Sequence, residues 1–222
     1  MRSVVLALIV ILTGASVTEA GAWLREKGKG FASNSVSTNE NRDTSFSGYF
    51  EYGITDSRTL GLDISYGFEL TGREEGSGIA FLRFPLGLTD QNNRFAWHAG
   101  LGTRYLNREF FPAAELGISW GRGVKVAERW GWANIDASIN KSQSPIETRV
   151  KADGTFGLPL SNHVKVMAQV FTTFQGGNTY TKLAPSLLLI AGRKQTTLQL
   201  SAEIPAVGGG DTFIKIGIWN EF

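Results

Sequence analysis

Residues 59–70 read TLGLDISYGFEL, and the two parities of this stretch differ in kind. Leu60, Leu62, Ile64, Tyr66, Phe68 and Leu70 stand on one parity, and Gly61, Asp63, Ser65, Gly67 and Glu69 on the other. A strand points successive side chains to opposite faces, so this one is apolar throughout on one side and small or acidic on the other. Two settings satisfy such a strand: core and water in a soluble sandwich, or lipid and lumen in a transmembrane barrel.

The rhythm recurs along the chain. Strands are expected over 28–38, 44–54, 59–70, 78–88, 95–106, 111–121, 130–140, 147–158, 163–174, 180–191, 196–204 and 212–222. Between them stand turn-forming runs such as NENRD at 39–43, TDSR at 55–58, REEGS at 73–77 and QGGN at 175–178. No linker, composition break or useful stretch of helical period divides the chain. Many segments carry an uncharged face, as in Ala80/Leu82/Phe84/Leu86/Leu88 or Phe95/Trp97/Ala99/Leu101. Faces of about ten residues suit a tilted transmembrane strand of about 9–11 residues better than the usual globular strand of about 5–6. Aromatic residues such as Phe46, Tyr52, Phe68, Tyr105, Trp120 and Phe174 cluster toward the ends of these faces, as interfacial girdles would. The expectation is an all-β chain forming a single antiparallel up-and-down transmembrane β-barrel of about 12 strands. A secreted sandwich shares the same period and stays open at this point.

Composition removes other classes. The 27 glycines and only 6 prolines suit many strands and tight turns. A net charge of +2, with Lys and Arg scattered, gives no footprint for nucleic acid. With no cysteine there is no disulfide, thiolate metal site or lipidated cysteine, and no cofactor is expected. The first residues, MRSVVLALIVILTGASVTEAGAW, combine Arg2, an apolar run from Val4 to Leu12 and an Ala20-Gly21-Ala22 cleavage pattern. Residues 1–22 are therefore expected to be a secretory signal peptide and 23–222 the barrel domain; the apolar run is short of the roughly 20 residues of a spanning helix.

The last stretch, FIKIGIWNEF at 213–222, closes an alternating strand on an aromatic residue. Phe222, Ile218, Ile216 and Ile214 share one parity, a pattern that resembles the C-terminal strand signal of bacterial outer-membrane β-barrel proteins. Asn220 departs from it, since that position is more often apolar. The resemblance implies a place in the outer membrane, contact with its lipids, delivery through the barrel assembly machinery and both termini in the periplasm. Connectors 55–58, 89–94, 122–129, 159–162 and 192–195 then become periplasmic turns, and the others become short external loops.

The opposite parity should line the lumen. It supplies the acids Asp63, Glu69 and Glu115 and the bases Arg83, Arg104, Arg149, Lys151 and Lys165, which are the candidates for setting selectivity. It also supplies Ile79, Phe81, Met167, Phe171, Leu188 and Trp219, an unusual lining for a simple aqueous pore. Buried charges need partners or water, so the interior is either a salt-bridged plug or a wet passage. The expected function is a narrow channel for passive passage of small polar or amphipathic solutes, with a sealed structural barrel as the alternative. An outer-membrane hydrolase is the weaker reading. His98, His163 and Ser161 are its candidates, with Asp63, Glu69 and Glu115 as a carboxylate-only alternative; both histidines are expected near the periplasmic rim, and no G-x-S-x-G, H-E-x-x-H or Walker pattern is present.

Overall fold

A computed structural model describes residues 22–87, 93–145, 148–191 and 196–222. The signal-peptide expectation for residues 1–21 and most of the connectors at 89–94 and 192–195 lie outside the described residues. Twelve strands run in order: β1 Gly30–Thr38, β2 Thr44–Thr55, β3 Arg58–Phe68, β4 Glu74–Pro85, β5 Asn93–Leu106, β6 Glu109–Val126, β7 Arg129–Ser142, β8 Thr148–Pro159, β9 Val164–Gln175, β10 Asn178–Ala191, β11 Thr196–Val207 and β12 Phe213–Glu221. Each pairs antiparallel with the next, and β1 pairs with β12 to close the barrel. Closure leaves no unpaired strand edge, which is the condition for a sheet in lipid.

Tight turns set the register. Asn107 and Arg108 link β5 to β6 with φ values of 48° and 72°, and Gly176 and Gly177 link β9 to β10 with 58° and 80°. Two successive residues with positive φ match the twist of a hairpin. The connector expected at 122–129 is corrected: β6 runs on to Val126 and pairs with Arg129, leaving only Ala127 and Glu128 between strands. Backbone pairing continues through this glycine- and charge-bearing stretch because its alternation, not its polarity, sets the ladder.

The apolar parity faces outward. Leu60, Leu62, Ile64 and Tyr66 are exposed, as are Ile214, Ile216 and Ile218 on β12. Aromatic residues collect at both ends of this belt. Tyr66, Tyr105 and Phe110 form one contact chain, with ring centroids 5.9 and 4.9 Å apart, and the Tyr105 hydroxyl donates to Glu74 Oε2 at 2.6 Å. At the end carrying the termini, the proximal mouth, Phe84 stacks on Trp97 at 4.7 Å and Phe50 on Phe222 at 6.0 Å. Tyr66, Tyr105 and Trp97 each join an apolar body to a polar tip, the combination that suits a boundary between lipid and water. The Phe222 ring lies over Gly30, where any Cβ would collide with it, and the two backbones exchange hydrogen bonds of 2.7 and 3.1 Å. Asn220 breaks the apolar pattern yet accepts a bond from Thr196 Oγ1 at 3.0 Å on the neighbouring strand.

Candidate functional site

The inward parity builds three levels of lumen. At the proximal mouth the segment 22–29 turns inside the barrel before β1 begins. Two inward-facing glycines make room for it: a Cβ on Gly53 would strike the carbonyl oxygens of Arg25 and Glu26, and one on Gly121 would strike the Trp23 ring. The Arg25 backbone N–H donates to Thr59 Oγ1 at 2.9 Å, and its Nε donates to Glu51 Oε2 at 2.8 Å. Glu51 is fully buried and also takes the Tyr49 hydroxyl at 2.7 Å and the guanidinium of Arg83. Two arginines and a phenol around one carboxylate satisfy a charge that burial would otherwise make costly. Trp132, Met167 and Leu188 form a buried apolar cluster that Trp219 joins, with the Trp132 ring over Gly157 and Lys165 Nζ 5.6 Å from the Trp132 ring centre. This mouth is therefore largely filled.

A cavity of about 330 Å³ lies above it. Its wall mixes aromatic rings, among them Phe31, Tyr49, Phe81 and Phe171, with Asp63, Asp136, Asp153 and Lys151. Asp136 and Asp153 are direct register partners on β7 and β8, a like-charge pairing that an ordinary sheet avoids. His98 also lines this cavity. Its Nε2 lies 3.2 Å from Glu115 Oε1, Glu115 Oε2 accepts from Asn140 Nδ2 at 3.4 Å, and Asn140 Oδ1 accepts from Arg104 Nη2 at 3.1 Å. The expectation that His98 stands near the rim is thus corrected. β5 begins at Asn93, so His98 is carried inward, its ring 5.1 Å from that of Phe81 and over Gly117.

The third level opens at the distal end as a vestibule of about 530 Å³. The β1–β4 wall of the two upper levels is small and hydroxylated: Ser35 meets Ser47 at 2.7 Å beside the central cavity, and toward the vestibule Ser37 meets Ser45 at 2.8 Å and Ser65 meets Ser77 at 2.9 Å. Elsewhere the charges are paired, Glu203 with Lys215 and with Lys182 at 3.5 Å, and Glu75 with Arg149.

Asp63, Arg83, Glu115 and Lys151 come together around the central cavity, as the alternation predicts. Glu69 lies apart at the vestibule, 3.9 Å from Arg73, and Arg149 stands above the cavity. His163 stays in a turn at the proximal end, where its backbone N–H donates to Ser161 Oγ at 3.2 Å; that pair is turn chemistry. Sequence reasoning missed Trp23, Arg25 and Tyr49. The signal that could have exposed the first two is the inward parity of Gly53 and Gly121, which leaves room beside a buried acid. Among the described residues, no group of three His, Asp or Glu side chains converges as metal ligands would.

No family model and no curated protein sequence matches the chain. Solved structures do match. An outer membrane channel of the COG4313 group from Pseudomonas putida F1 aligns with a TM-score of 0.59 at 11% identity, covering 93% of this chain and 100% of that one. The KdgM porin aligns at 0.58 and 6% identity, covering 86% and 99%, and its complex with disordered oligogalacturonate at 0.55 and 6%, covering 87% and 99%. Identities this low establish a shared fold: the closed antiparallel barrel of outer-membrane proteins.

Proposed function

We propose that this chain, which has the fold of outer-membrane β-barrels, is itself an outer-membrane channel for passive passage of small polar or amphipathic solutes. The observation that carries the reading is the pair of cavities stacked along the lumen, lined by charges, hydroxyls and aromatic rings. Apolar walls with a few polar groups are typical of sites that hold small organic molecules. The outward belt, its aromatic ends and the Phe222 strand support residence in the outer membrane, with lipids and the barrel assembly machinery as partners. The N-terminal signal pattern supports export. Asp63, Arg83, Glu115 and Lys151 on the central cavity, Glu69 at the vestibule and Arg149 between them are the charges a solute would meet, while Arg104 is buried against Asn140 and Lys165 lies at the filled mouth. The chemistry of an enzyme is not supported by His98, whose Nε2 is held by Glu115 without a hydroxyl partner among the described residues.

The filled proximal mouth favours a second reading, a sealed barrel serving envelope integrity. One experiment separates the two. The protein is recovered from outer membranes, checked for a heat-modifiable band on gels, and reconstituted into planar bilayers and sugar-loaded liposomes. Ion steps and swelling with small sugars support the channel. A folded, inserted barrel that passes neither leaves the sealed barrel standing.

A further inference from the structure

Glu75 is the second residue of β4 and Arg149 the second of β8, and β5, β6 and β7 lie between them around the wall. Their ladder partners are elsewhere: Gly67 and Leu106 for Glu75, Asn140 and Gln175 for Arg149. The ion pair that joins them therefore crosses the interior instead of running along the sheet. Arg149 is held from behind, its Nε donating to Gln175 Oε1 at 2.5 Å, while the other Glu75 oxygen lies 3.6 Å from Arg73. A guanidinium fork held at two points keeps its direction far better than a lysine would.

The level matters. Glu75 lines the vestibule, and Lys151, the next inward residue after Arg149, lines the central cavity. In register with Glu75 on β3, β2 and β1 stand the small residues Gly67, Ser45 and Ser37, and the row continues on β12 to Lys215, which is paired with Glu203. Glu75 and Arg149 thus stand between the residues that line the vestibule and those that line the central cavity. The Glu75 and Arg149 side chains are 30% and 14% exposed, so both signs of charge remain open to a passing solute.

We propose that Glu75 and Arg149 are the specificity-determining pair of this barrel, a charge filter between vestibule and central cavity that holds back net charge of either sign. The inference rests on the channel reading for its purpose, but access to the cavity can be measured whether or not the proximal mouth opens. The native chain has no cysteine, so Ser138→Cys places a single thiol on the central cavity wall. Whole cells displaying this variant are treated with two small methanethiosulfonates, one carrying trimethylammonium and one sulfonate, and the two labelling rates are compared.

With the bridge intact, the two rates are low and similar. Adding Glu75→Gln leaves the Arg149 charge uncompensated and raises the sulfonate rate over the trimethylammonium rate severalfold; Arg149→Gln shifts the ratio severalfold the other way. The double change Glu75→Gln/Arg149→Gln, close to the native shape, speeds both reagents without preference and guards against a folding artefact in either single variant. Ratios that stay constant, or move the same way in both single variants, overturn the filter. So does a thiol that no variant exposes to either reagent. Opposite shifts in a barrel that carries no bilayer current keep the filter and retire the channel; current without the shifts retires the filter alone.

Discussion

Glu51 offers the sharpest test of how this interior is held together. The carboxylate is fully buried, and Arg83 beside it is 4% exposed. Replacing Glu51 with Ala leaves Arg83 with the Tyr49 hydroxyl, 3.1 Å from Nη2, and with no carboxylate within ion-pair distance among the described residues, Asp136 acting only from farther off. An uncompensated buried charge costs about 3–5 kcal/mol. The lost bonds from Arg25 and Tyr49 would each be worth about 1.5–3 kcal/mol alone, but within one network they do not add, so about 4 kcal/mol is the expected total. That is roughly a thousandfold in the unfolding equilibrium at about 1.4 kcal/mol per decade. Arg25→Ala should be milder, about 1–2 kcal/mol, because Glu51 keeps Arg83 and Tyr49. Glu51→Leu/Arg83→Leu should cost less than Glu51→Ala, since the buried Arg83 charge leaves together with its partner, while Arg25 and the Tyr49 hydroxyl lose the carboxylate in both variants. The assay is urea unfolding of the refolded barrel in lipid vesicles, followed by the fluorescence of its 6 tryptophans. A Glu51→Ala midpoint within about 1 kcal/mol of the native protein refutes the reasoning. A double variant as damaged as the worse single one refutes it equally.

Two further outcomes follow from the faces and the N-terminal segment. Trp23→Ala/Arg25→Ala removes both side-chain anchors of segment 22–29, so trypsin should cut the folded barrel at Lys27 or Lys29 while the strands resist; an unchanged digestion pattern argues that the segment is held by its backbone contacts alone. Leu62→Arg, on the lipid face, should destabilise by about 2–4 kcal/mol, whereas Asp63→Asn, one residue on, should cost under about 1 kcal/mol because Asp63 has no cation within 4 Å among the described residues. Equal costs in vesicle unfolding would mean the two faces are assigned the wrong way round.

The strand count and the sidedness were legible in the sequence because both follow from a period of two, a property of neighbouring residues. TLGLDISYGFEL turned Leu60, Leu62 and Ile64 outward and Asp63 into the lumen as its alternation requires. Strand ends were less legible, as at Val126, where the ladder continued through a stretch whose composition suggests a turn. His98 was misplaced for the same reason: a strand that starts two residues earlier than expected moves each of its side chains along the barrel.

By itself the sequence determined an alternating chain with one apolar face, a lumen face of mixed charge and a terminal aromatic residue. Only the tertiary structure decided which lumen groups meet. Arg149 finds Glu75 from 74 positions away, and Arg83 finds Glu51 from 32. The inward glycines look alike in the sequence, yet Gly53 and Gly121 receive the N-terminal segment, while Gly61 receives the Phe81 ring. Alternation specifies the face a side chain takes, but its partner across the lumen depends on the closed register and curvature of all twelve strands together.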